Sequence, residues 1–392
     1  AGAEAVNHEG VVNPDGLKNW FVAVANRENV PANVIVGPAD SIGEGVIAGD
    51  GSPTTGFLST WRYQVQTRLQ AAFPTAGVPT PGLGYVPALT VSGIPAVPVT
   101  TSGSPTAGTA DHGLGMRRYR VNNTQYVQWD AQTCDRVLIW YGKTNSLGGG
   151  AIISIDGVDK TPQPSSSAGS VSDGYVWDSG ALALGSHTVK VRGNSGFGFI
   201  LEGCEFFNGD YGKGIHVYDA AHYGATTATY TAAATDTGHW QAVALAAPRL
   251  FIIPIGTNDW GTLDAATSLA NVDTILSKCA TAAGSRAYSV LLVGMYRPVR
   301  AANPDPAIWA TYQAGLRARA VGNVAYLPVQ PPWPDLYANT ANSLMYELAA
   351  PLHPNYAGHT ALADLIAQAI TPPRPTGPAG TYLPSTPKAV LP

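Results

Sequence analysis

The chain has 392 residues, enough for a large buried core and, from length alone, roughly two or three domains. Charged residues make up only 12%, about half the usual share, whereas glycine (44) and proline (31) are plentiful, which is typical of a compact, loop-rich protein. A net charge of -4 without any large lysine or arginine cluster argues against a nucleic-acid partner, and no apolar run is long enough to span a membrane.

The first strong element is a buried strand that ends in a polar, glycine-lined turn. Residues 1–30 form an N-terminal extension in which Trp20-Phe21-Val22 indicates a short helix. The β-branched run at 34–36 then leads to Asp40 and Ser41, so a hydroxyl is predicted at the carboxyl end of a strand, where open α/β sheets place their chemistry. Taken alone, both residues are also explained as donors and acceptors of turn hydrogen bonds.

An amphipathic helix is predicted next, because apolar residues recur every fourth position until Pro74. These residues are Phe57, Trp61, Val65, Leu69 and Phe73.

An all-β unit follows, after proline- and glycine-rich sequence from about Thr75 to Gly115. Short alternating segments then appear without a helix between them, at 126–129, 136–141, 151–155, 187–191, 197–202 and 204–207. Short strands at this spacing are typical of a β-sandwich. Their aromatic residues are expected mostly in its core, namely Trp129, Trp140, Tyr141, Trp177, Phe206 and Phe207. Since strand–helix alternation resumes afterwards, the unit is predicted to be an insertion.

The three cysteines lack the spacing of a zinc or redox site. Cys279 continues an apolar helical stripe and is expected in the core. Cys134 and Cys204 fall in the same β-rich segment, and whether they form a disulfide is left open because pairing depends on geometry.

From Gly214 onward, strands and helices alternate. Strands are predicted at 215–218, 250–255, 290–293 and 324–327, and helices at about 240–246, 263–282, 305–316 and after His353-Pro354-Asn355. With the first strand, these near-continuous apolar segments predict a five-stranded parallel sheet covered by helices on both faces. The segment from Thr371 is rich in proline and glycine and is expected to be an extended arm or linker.

Polar loops follow three strands of this predicted sheet and therefore meet at one edge. They contain Ser41, Gly224 and Asn258, and His353 stands before the last helix, where a loop can bring it over the same edge. Ester or amide hydrolysis by a serine requires a nucleophile, a base and donors to the oxyanion. These residues supply all three.

Four motifs in this order resemble those of the SGNH hydrolases, also called GDSL-type esterases. The first block of that family resembles Ala39-Asp40-Ser41-Ile42-Gly43-Glu44-Gly45, and the glycine of its second block matches Gly224. The third block is present as Gly256-Thr257-Asn258-Asp259, and the fifth resembles Ala350-Pro351-Leu352-His353-Pro354-Asn355 followed by Gly358-His359. The resemblance covers roughly residues 33–73 and 214–370.

The resemblance implies a three-layer, flavodoxin-like α/β fold with a parallel five-stranded sheet and an inserted, jelly-roll-like β-sandwich. It implies Ser41 as nucleophile, His353 as base, and the Ser41 and Gly224 amides with the Asn258 side chain as oxyanion donors. Asp40, Gly256 and Asp259 are expected to support the turns. No metal or organic cofactor is implied. The remaining histidines of this region are not expected to be catalytic: His216, His222 and His239 should be hydrogen-bonded or face solvent, and His359 should pack against or cap the last helix.

Two residues depart from the family pattern. Ala39 replaces a glycine, which is expected only to tighten the turn. Ala350 stands where the family has the acid that orients the histidine, and neutralising that acid lowers turnover by about 10⁴-fold in serine triads. The alternatives are a Ser-His dyad with a backbone carbonyl on the ring nitrogen, recruitment of Glu347 or Asp335, or an inactive form.

The sequence therefore predicts a serine esterase that removes small acyl groups, O-acetyl first among them, from a carbohydrate polymer outside the cell or on a virion. The predicted domains are residues 31–75 with 214–370 (hydrolase), 76–213 (insertion), 1–30 (extension) and 371–392 (arm). Two alternatives remain: a glycan-binding or adhesion module, as in a phage tail or surface appendage, on an esterase scaffold, and a lipase or thioesterase of the same fold. The acyl group, polymer and oligomeric state are not predicted.

Overall fold

The computed structural model describes residues 10–46, 56–89, 98–107, 111–144, 149–167, 172–194, 196–299, 305–330, 333, 336, 343–346 and 352–372. The chain begins with α1 (Lys18–Ala25), β1 (Ala32–Ala39), α2 (Ser41–Glu44) and α3 (Trp61–Ala72). The strands that follow are β2 (Gly84–Pro87), β3 (Val99–Ser102), β4 (Thr106–Ala107), β5 (Tyr119–Val121), β6 (Tyr126–Cys134), β7 (Arg136–Lys143), β8 (Ala151–Ile155), β9 (Val158–Asp159), β10 (Ser172–Asp178), β11 (Gly185–Gly193) and β12 (Phe199–Phe207).

Alternating strands and helices complete the described chain. They are β13 (Ile215–Ala221), α4 (Thr227–Thr231), α5 (His239–Leu245), β14 (Leu250–Ile253), α6 (Ala265–Ala283), β15 (Ser289–Gly294), α7 (Pro306–Ala318), β16 (Val324–Pro328) and α8 (Tyr356–Ile370). Short 3-10 helices lie at Pro14–Leu17, Phe57–Ser59, Leu114–Met116 and Ala233–Asp236.

Five parallel strands form the central sheet in the order β13-β1-β14-β15-β16. In terms of chain order this is 2-1-3-4-5, the flavodoxin-like arrangement, so the predicted fold is confirmed. Side chains alternate between two cores, because Val34 and Val36 pack with α1, α3 and α8 while Ile35 packs with α5, α6 and α7. The strand order reverses between β1 and β14, which opens a crevice beyond their carboxyl ends.

The insertion between α3 and β13 consists of two antiparallel sheets, as predicted. One has the order β10-β7-β12-β5-β4 with β2 also paired to β12, and the other has the order β3-β6-β11-β8-β9. Their facing side chains, including Trp129, Ile153 and Phe206, form one apolar core. Trp140 is different, because it packs against Tyr218 of the parallel sheet and joins the insertion to the α/β core.

Three details of the insertion differ from the sequence prediction. The segments 197–202 and 204–207 form one strand, since Gly203 lets the strand continue where any side chain would collide with the Tyr85 ring. The proline- and glycine-rich lead-in supplies β2, β3 and β4. Strand β10 was missed because its polar start and Gly174 break the apolar alternation.

The cysteines are free thiols, so the open possibility of a Cys134–Cys204 disulfide is not realised. All three are buried, and burial raises the pKa of Cys134 to about 12. A thiol that stays protonated is a poor nucleophile and behaves as a small apolar residue.

The N-terminal segment, which the sequence predicted to be an extension, packs against the parallel-sheet domain. Trp20 is fully buried, and its Nε1 donates to the carbonyl of Ile370 at the end of α8 (2.7 Å). Val12 forms an antiparallel bridge to Tyr326 of β16. The arm predicted at 371–392 lies almost wholly outside the described residues. Among the described helices, none combines the length and apolar character needed to cross a membrane.

Candidate active site

Ser41 stands at the point where β1 ends and α2 begins, beside the crevice of the parallel sheet. Asp40 caps α2, because its side chain accepts a hydrogen bond from the Ile42 amide (2.9 Å), and this holds Ser41 as the first helical residue. Gly45 ends the helix with φ of 88°, in the left-handed region that favours glycine. Asp40 at one end of α2 and Gly45 at the other therefore present the Ser41 hydroxyl from a short, fixed turn.

His353 meets Ser41 across 312 positions of sequence: the Ser41 Oγ to His353 Nε2 distance is 3.0 Å. Both side chains are nearly buried, with 4% and 8% exposure. This is the distance that a base needs to take the proton of a hydroxyl nucleophile.

Neighbouring groups hold the His353 segment on both sides. The Tyr296 hydroxyl donates to the carbonyl of Leu352 (2.7 Å), and the amide of Tyr346 donates to the carbonyl of His353 (2.9 Å). Asn355 caps α8 by accepting from the Gly358 amide (3.0 Å). Turns before and after the histidine thus fix its backbone.

The candidate oxyanion donors lie on two loops that are tied together. Gly224 follows β13 and has φ of 74°, a conformation that side chains disfavour. The Asn258 side-chain amide donates to the carbonyl of Ala225 (3.0 Å), which links the loop after β14 to the residue next to Gly224. Gly256 packs against the Tyr312 ring so closely that a side chain would collide with it.

Asp259 has a structural role. Its carboxylate accepts hydrogen bonds from the Thr227 amide (3.0 Å) and the Thr227 hydroxyl. These bonds join the loop after β14 to the start of α4, which follows the Gly224 loop.

The position of the family acid, Ala350, lies outside the described residues, as do Glu347 and Asp335. The histidines named as structural are buried or half-buried. His216, His222 and His239 each lie within hydrogen-bond distance of a backbone carbonyl, and the Trp61 amide donates to His359 (3.3 Å). Burial lowers the pKa of His239 and of His359 to about 3, so both are neutral at ordinary pH.

Asp40 carries an electrostatic penalty at this site. Burial raises the pKa of its carboxyl to about 6, although hydrogen bonds from Ile42 and Thr257 and the nearby His353 oppose the shift. The carboxyl that caps α2 therefore keeps its proton to a higher pH than an exposed aspartate does.

A buried charge cluster lies behind the nucleophile turn, and we call Glu44, Arg62, Arg117 and Asp219 the buried quartet. Arg117 of the insertion lies 2.7 Å from Asp219 and 3.5 Å from Glu44, and Arg62 of α3 lies 3.0 Å from Asp219. Glu44 also accepts a hydrogen bond from the Tyr223 amide. The quartet therefore connects α2, the Gly224 loop and the insertion.

Sequence reasoning missed the quartet. Its one available signal was the pair Arg117-Arg118 at the end of the glycine-rich lead-in, in a chain poor in charge. Arg117 is 1% exposed, which is rare for arginine unless it is paired.

Comparisons with known proteins agree with this architecture. The profile of the GDSL-like lipase/acylhydrolase family matches residues 205–361, a range that includes Gly224, Asn258 and His353 and begins after Ser41. No curated protein matches the chain. A solved structure described as "Peptidoglycan O-acetylesterase in action, 5 min" is similar over 93% of this chain and 96% of its own, with 14% identity and a TM-score of 0.63, which establishes the shared fold.

Weaker structural similarities involve two carbohydrate esterases of family 2. One is an enzyme with a carbohydrate-binding domain from Corynascus thermopiles (Myceliophthora fergusii), with 17% identity, 69% and 98% coverage and a TM-score of 0.32. The other is an enzyme from Clostridium thermocellum in complex with cellohexaose, with 12% identity, 69% and 98% coverage and a TM-score of 0.32.

Proposed function

We propose that this chain, whose residues 205–361 match the profile of the GDSL-like lipase/acylhydrolase family, is a serine esterase that removes small acyl groups, O-acetyl first among them, from a carbohydrate polymer. The observation that carries the proposal is the 3.0 Å contact between Ser41 Oγ and His353 Nε2, at the crevice where the strand order reverses. We further propose that the protein works outside the cell or on a virion, where such polymers are exposed.

In the proposed reaction, Ser41 Oγ attacks the ester carbonyl carbon while His353 Nε2 takes the hydroxyl proton. The carbonyl oxygen becomes an oxyanion, and the amides of Ser41 and Gly224 with the Asn258 side chain stabilise it. The intermediate expels the sugar alcohol, which leaves with the proton held by His353. Ser41 is now acylated.

The second half of the reaction restores the enzyme. His353 removes a proton from water, and the hydroxide oxygen attacks the acyl carbon. The same donors stabilise the second oxyanion, and the Ser41–acyl bond breaks as the proton returns to Ser41. The carboxylic acid leaves. Each step uses side chains and backbone amides of the chain together with water.

Pre-steady-state hydrolysis of 4-nitrophenyl acetate tests the proposal. We expect a burst of 4-nitrophenolate equal to the enzyme concentration if deacylation is slow, and a loss of at least about 10⁴-fold in kcat for Ser41→Ala. Asn258→Ala should lower kcat by about 10²- to 10³-fold, since it removes one oxyanion donor. Ser277→Ala, on the exposed side of α6, is the matched control and should behave as the unmodified protein.

A further variant tests position 350, where the family has an acid and this chain has Ala350. Ala350→Asp should raise turnover if His353 lacks an acid partner in the native chain, whereas unchanged turnover indicates that the native orientation of His353 is already sufficient. Glycan binding with no turnover by the unmodified protein would contradict the esterase proposal and favour an adhesion module. A strong preference for long-chain aryl esters would favour a lipase or thioesterase.

A further inference from the structure

A second cavity lies at the same edge of the parallel sheet as Ser41 and has no role in the proposed reaction. Its volume is about 570 Å³, within the range of about 300–1,000 Å³ that is usual for small-molecule sites. It opens between the carboxyl ends of β15 and β16 and helix α7. The residues that determine its chemistry are Met295, Arg297, Trp309, Gln313, Tyr326 and Trp333.

The cavity walls are joined to both candidate catalytic loops. Trp333 stacks on Tyr296 with ring centroids 4.8 Å apart, and the Tyr296 hydroxyl donates to the carbonyl of Leu352, beside His353. On the other side, Trp309 packs against Tyr312, whose hydroxyl donates to the carbonyl of Ile255 (3.1 Å) next to Gly256. A ligand here would therefore contact side chains that pack against the supports of both loops.

Three residues that line the cavity carry buried hydrogen-bond donors that have no acceptor among the described residues. Among the described residues, Trp309 Nε1, Trp333 Nε1 and Gln313 Nε2 are buried and have no hydrogen-bond partner. Such groups are costly to bury unpaired, so three on residues that line one cavity indicate a ligand that accepts hydrogen bonds. Arg297 also lines the cavity, and its described lining contains no carboxylate.

The orientation of the Gln313 amide is fixed by its neighbours. The Tyr326 hydroxyl donates to Gln313 Oε1 (2.9 Å), which leaves Nε2 as the donor for a ligand. Both groups pack over Gly294, where any side chain would collide with them. The absence of a side chain at Gly294 thus makes room for the Tyr326–Gln313 pair.

We propose that this cavity is a subsite for a saccharide unit that carries a carbonyl-type oxygen, the amide oxygen of an N-acyl sugar or the carboxylate of a uronic acid, next to the esterified unit. The identification of the ligand as part of the substrate rests on the proposed function. Aromatic walls suit the C–H faces of a sugar, and the three N–H groups suit an acceptor that is not itself a donor.

Calorimetry with oligosaccharides that carry no ester tests the subsite apart from catalysis. The probes are chitotetraose, tetragalacturonate and cellotetraose. We expect the unmodified protein to bind chitotetraose or tetragalacturonate at least about tenfold more tightly than cellotetraose. Gln313→Glu keeps the acceptor for Tyr326 but replaces the Nε2 donors, and should weaken that binding by about tenfold or more.

Two further variants keep the test decisive if Gln313→Glu does not fold. Trp309→Phe removes one N–H and keeps an aromatic ring, so it should weaken binding in the same direction. Thr311→Ala changes an exposed side chain of the same helix and should leave binding unchanged. Cellotetraose binding as tightly as the other two probes, or binding that both cavity variants leave intact, would overturn the subsite. Absence of Ser41-dependent ester hydrolysis would overturn the proposed function and leave these binding results standing.

Discussion

Asp40 and Ser41 are neighbours in the chain but serve the site in different ways. Ser41 is held with its hydroxyl 3.0 Å from His353, whereas Asp40 is fully buried and caps the helix through Ile42. Because Asp40 forms no salt bridge among the described residues, its charge is poorly compensated, and burial raises its pKa from 3.8 to about 6. Asp40 thus fixes the turn that carries Ser41, but burying its carboxylate lowers the stability of the fold.

Asp40→Asn should reveal this penalty through pH. A carboxyl whose folded pKa exceeds its unfolded value binds its proton more tightly when folded, so its contribution is greatest below about pH 4 and is lost as pH rises to about 6. The shift of about two units corresponds to about 3 kcal/mol at pH 7.5. Asparagine keeps the acceptor for Ile42 and does not titrate. The variant should therefore gain stability relative to the native protein between pH 4 and pH 7.5, measured by urea unfolding.

The difference between Asp40→Asn and the native protein isolates this residue, since Glu44 titrates equally in both. Burial raises the pKa of Glu44 to about 7, so the native curve alone would mix two carboxyls. A stability difference that is the same at both pH values would contradict the assignment.

At the level of elements, the insertion is part of the framework that surrounds the candidate active site. Arg117 follows its 3-10 helix Leu114–Met116 and reaches the carboxylates of Glu44 on α2 and Asp219 on β13. Glu44 in turn accepts from the Tyr223 amide, one residue before Gly224. The arginine therefore holds α2, which begins at the proposed nucleophile Ser41, and the loop of the proposed oxyanion donor Gly224 in one arrangement. Loss of this arrangement is expected to affect catalysis as well as folding.

Arg117→Ala should destabilise the protein by about 3–5 kcal/mol, because removing one partner leaves buried carboxylates uncompensated. Where the variant remains folded, kcat on 4-nitrophenyl acetate should fall, with a smaller change in KM, since the donors around the oxyanion lose their alignment. Guanidinium unfolding and steady-state kinetics measure the two effects.

The matched control is Arg192→Ala in the same insertion. Arg192 pairs with Asp159 at 2.9 Å, but the two side chains are 43% and 49% exposed, so solvent and salt screen the pair. It should change neither stability nor kcat appreciably. Equal effects of the two substitutions would show that the quartet has no special role.

At the level of the whole molecule, segments near the two ends of the described chain pack into the same core. Leu17, at the end of the first 3-10 helix, and Trp20 and Val24 of α1 are buried in the same core as the apolar side chains of α8. The Trp20 indole also donates to Ile370, 350 positions away in sequence. A segment that precedes every strand of the sheet therefore covers one of its faces.

Trp20→Ala should destabilise the protein by about 3–5 kcal/mol, because it leaves a cavity and an unpaired carbonyl in that core. Thermal or chemical unfolding measures the loss. Val22→Ala, at a position that is 67% exposed on the same helix, is the control and should have little effect. A small loss for Trp20→Ala would mean that α1 does not contribute to the folding unit.

The elements that the sequence predicted well are those whose information is local. The strands at 34–36, 250–255 and 290–293 are near-continuous apolar runs, since both faces of a parallel sheet are covered. Helix ends followed from capping residues such as Asp305 and Asn355. The motif glycines and Asn258 were recognised from their spacing after strands.

Features that depend on contacts between distant segments were decided only by the tertiary structure. Strands β2 and β10 have weak patterns of their own and are stabilised by pairing with β12 and β7. The burial of Arg117 exists only because the insertion packs on the ends of β1 and β13, and the Ser41–His353 contact spans most of the chain. Periodicity and turn residues thus determined the elements, and the resemblance of four motifs to a known family indicated the candidate chemistry. Packing and charge pairing between distant segments bring these elements together in the fold. No local sequence pattern encodes those contacts.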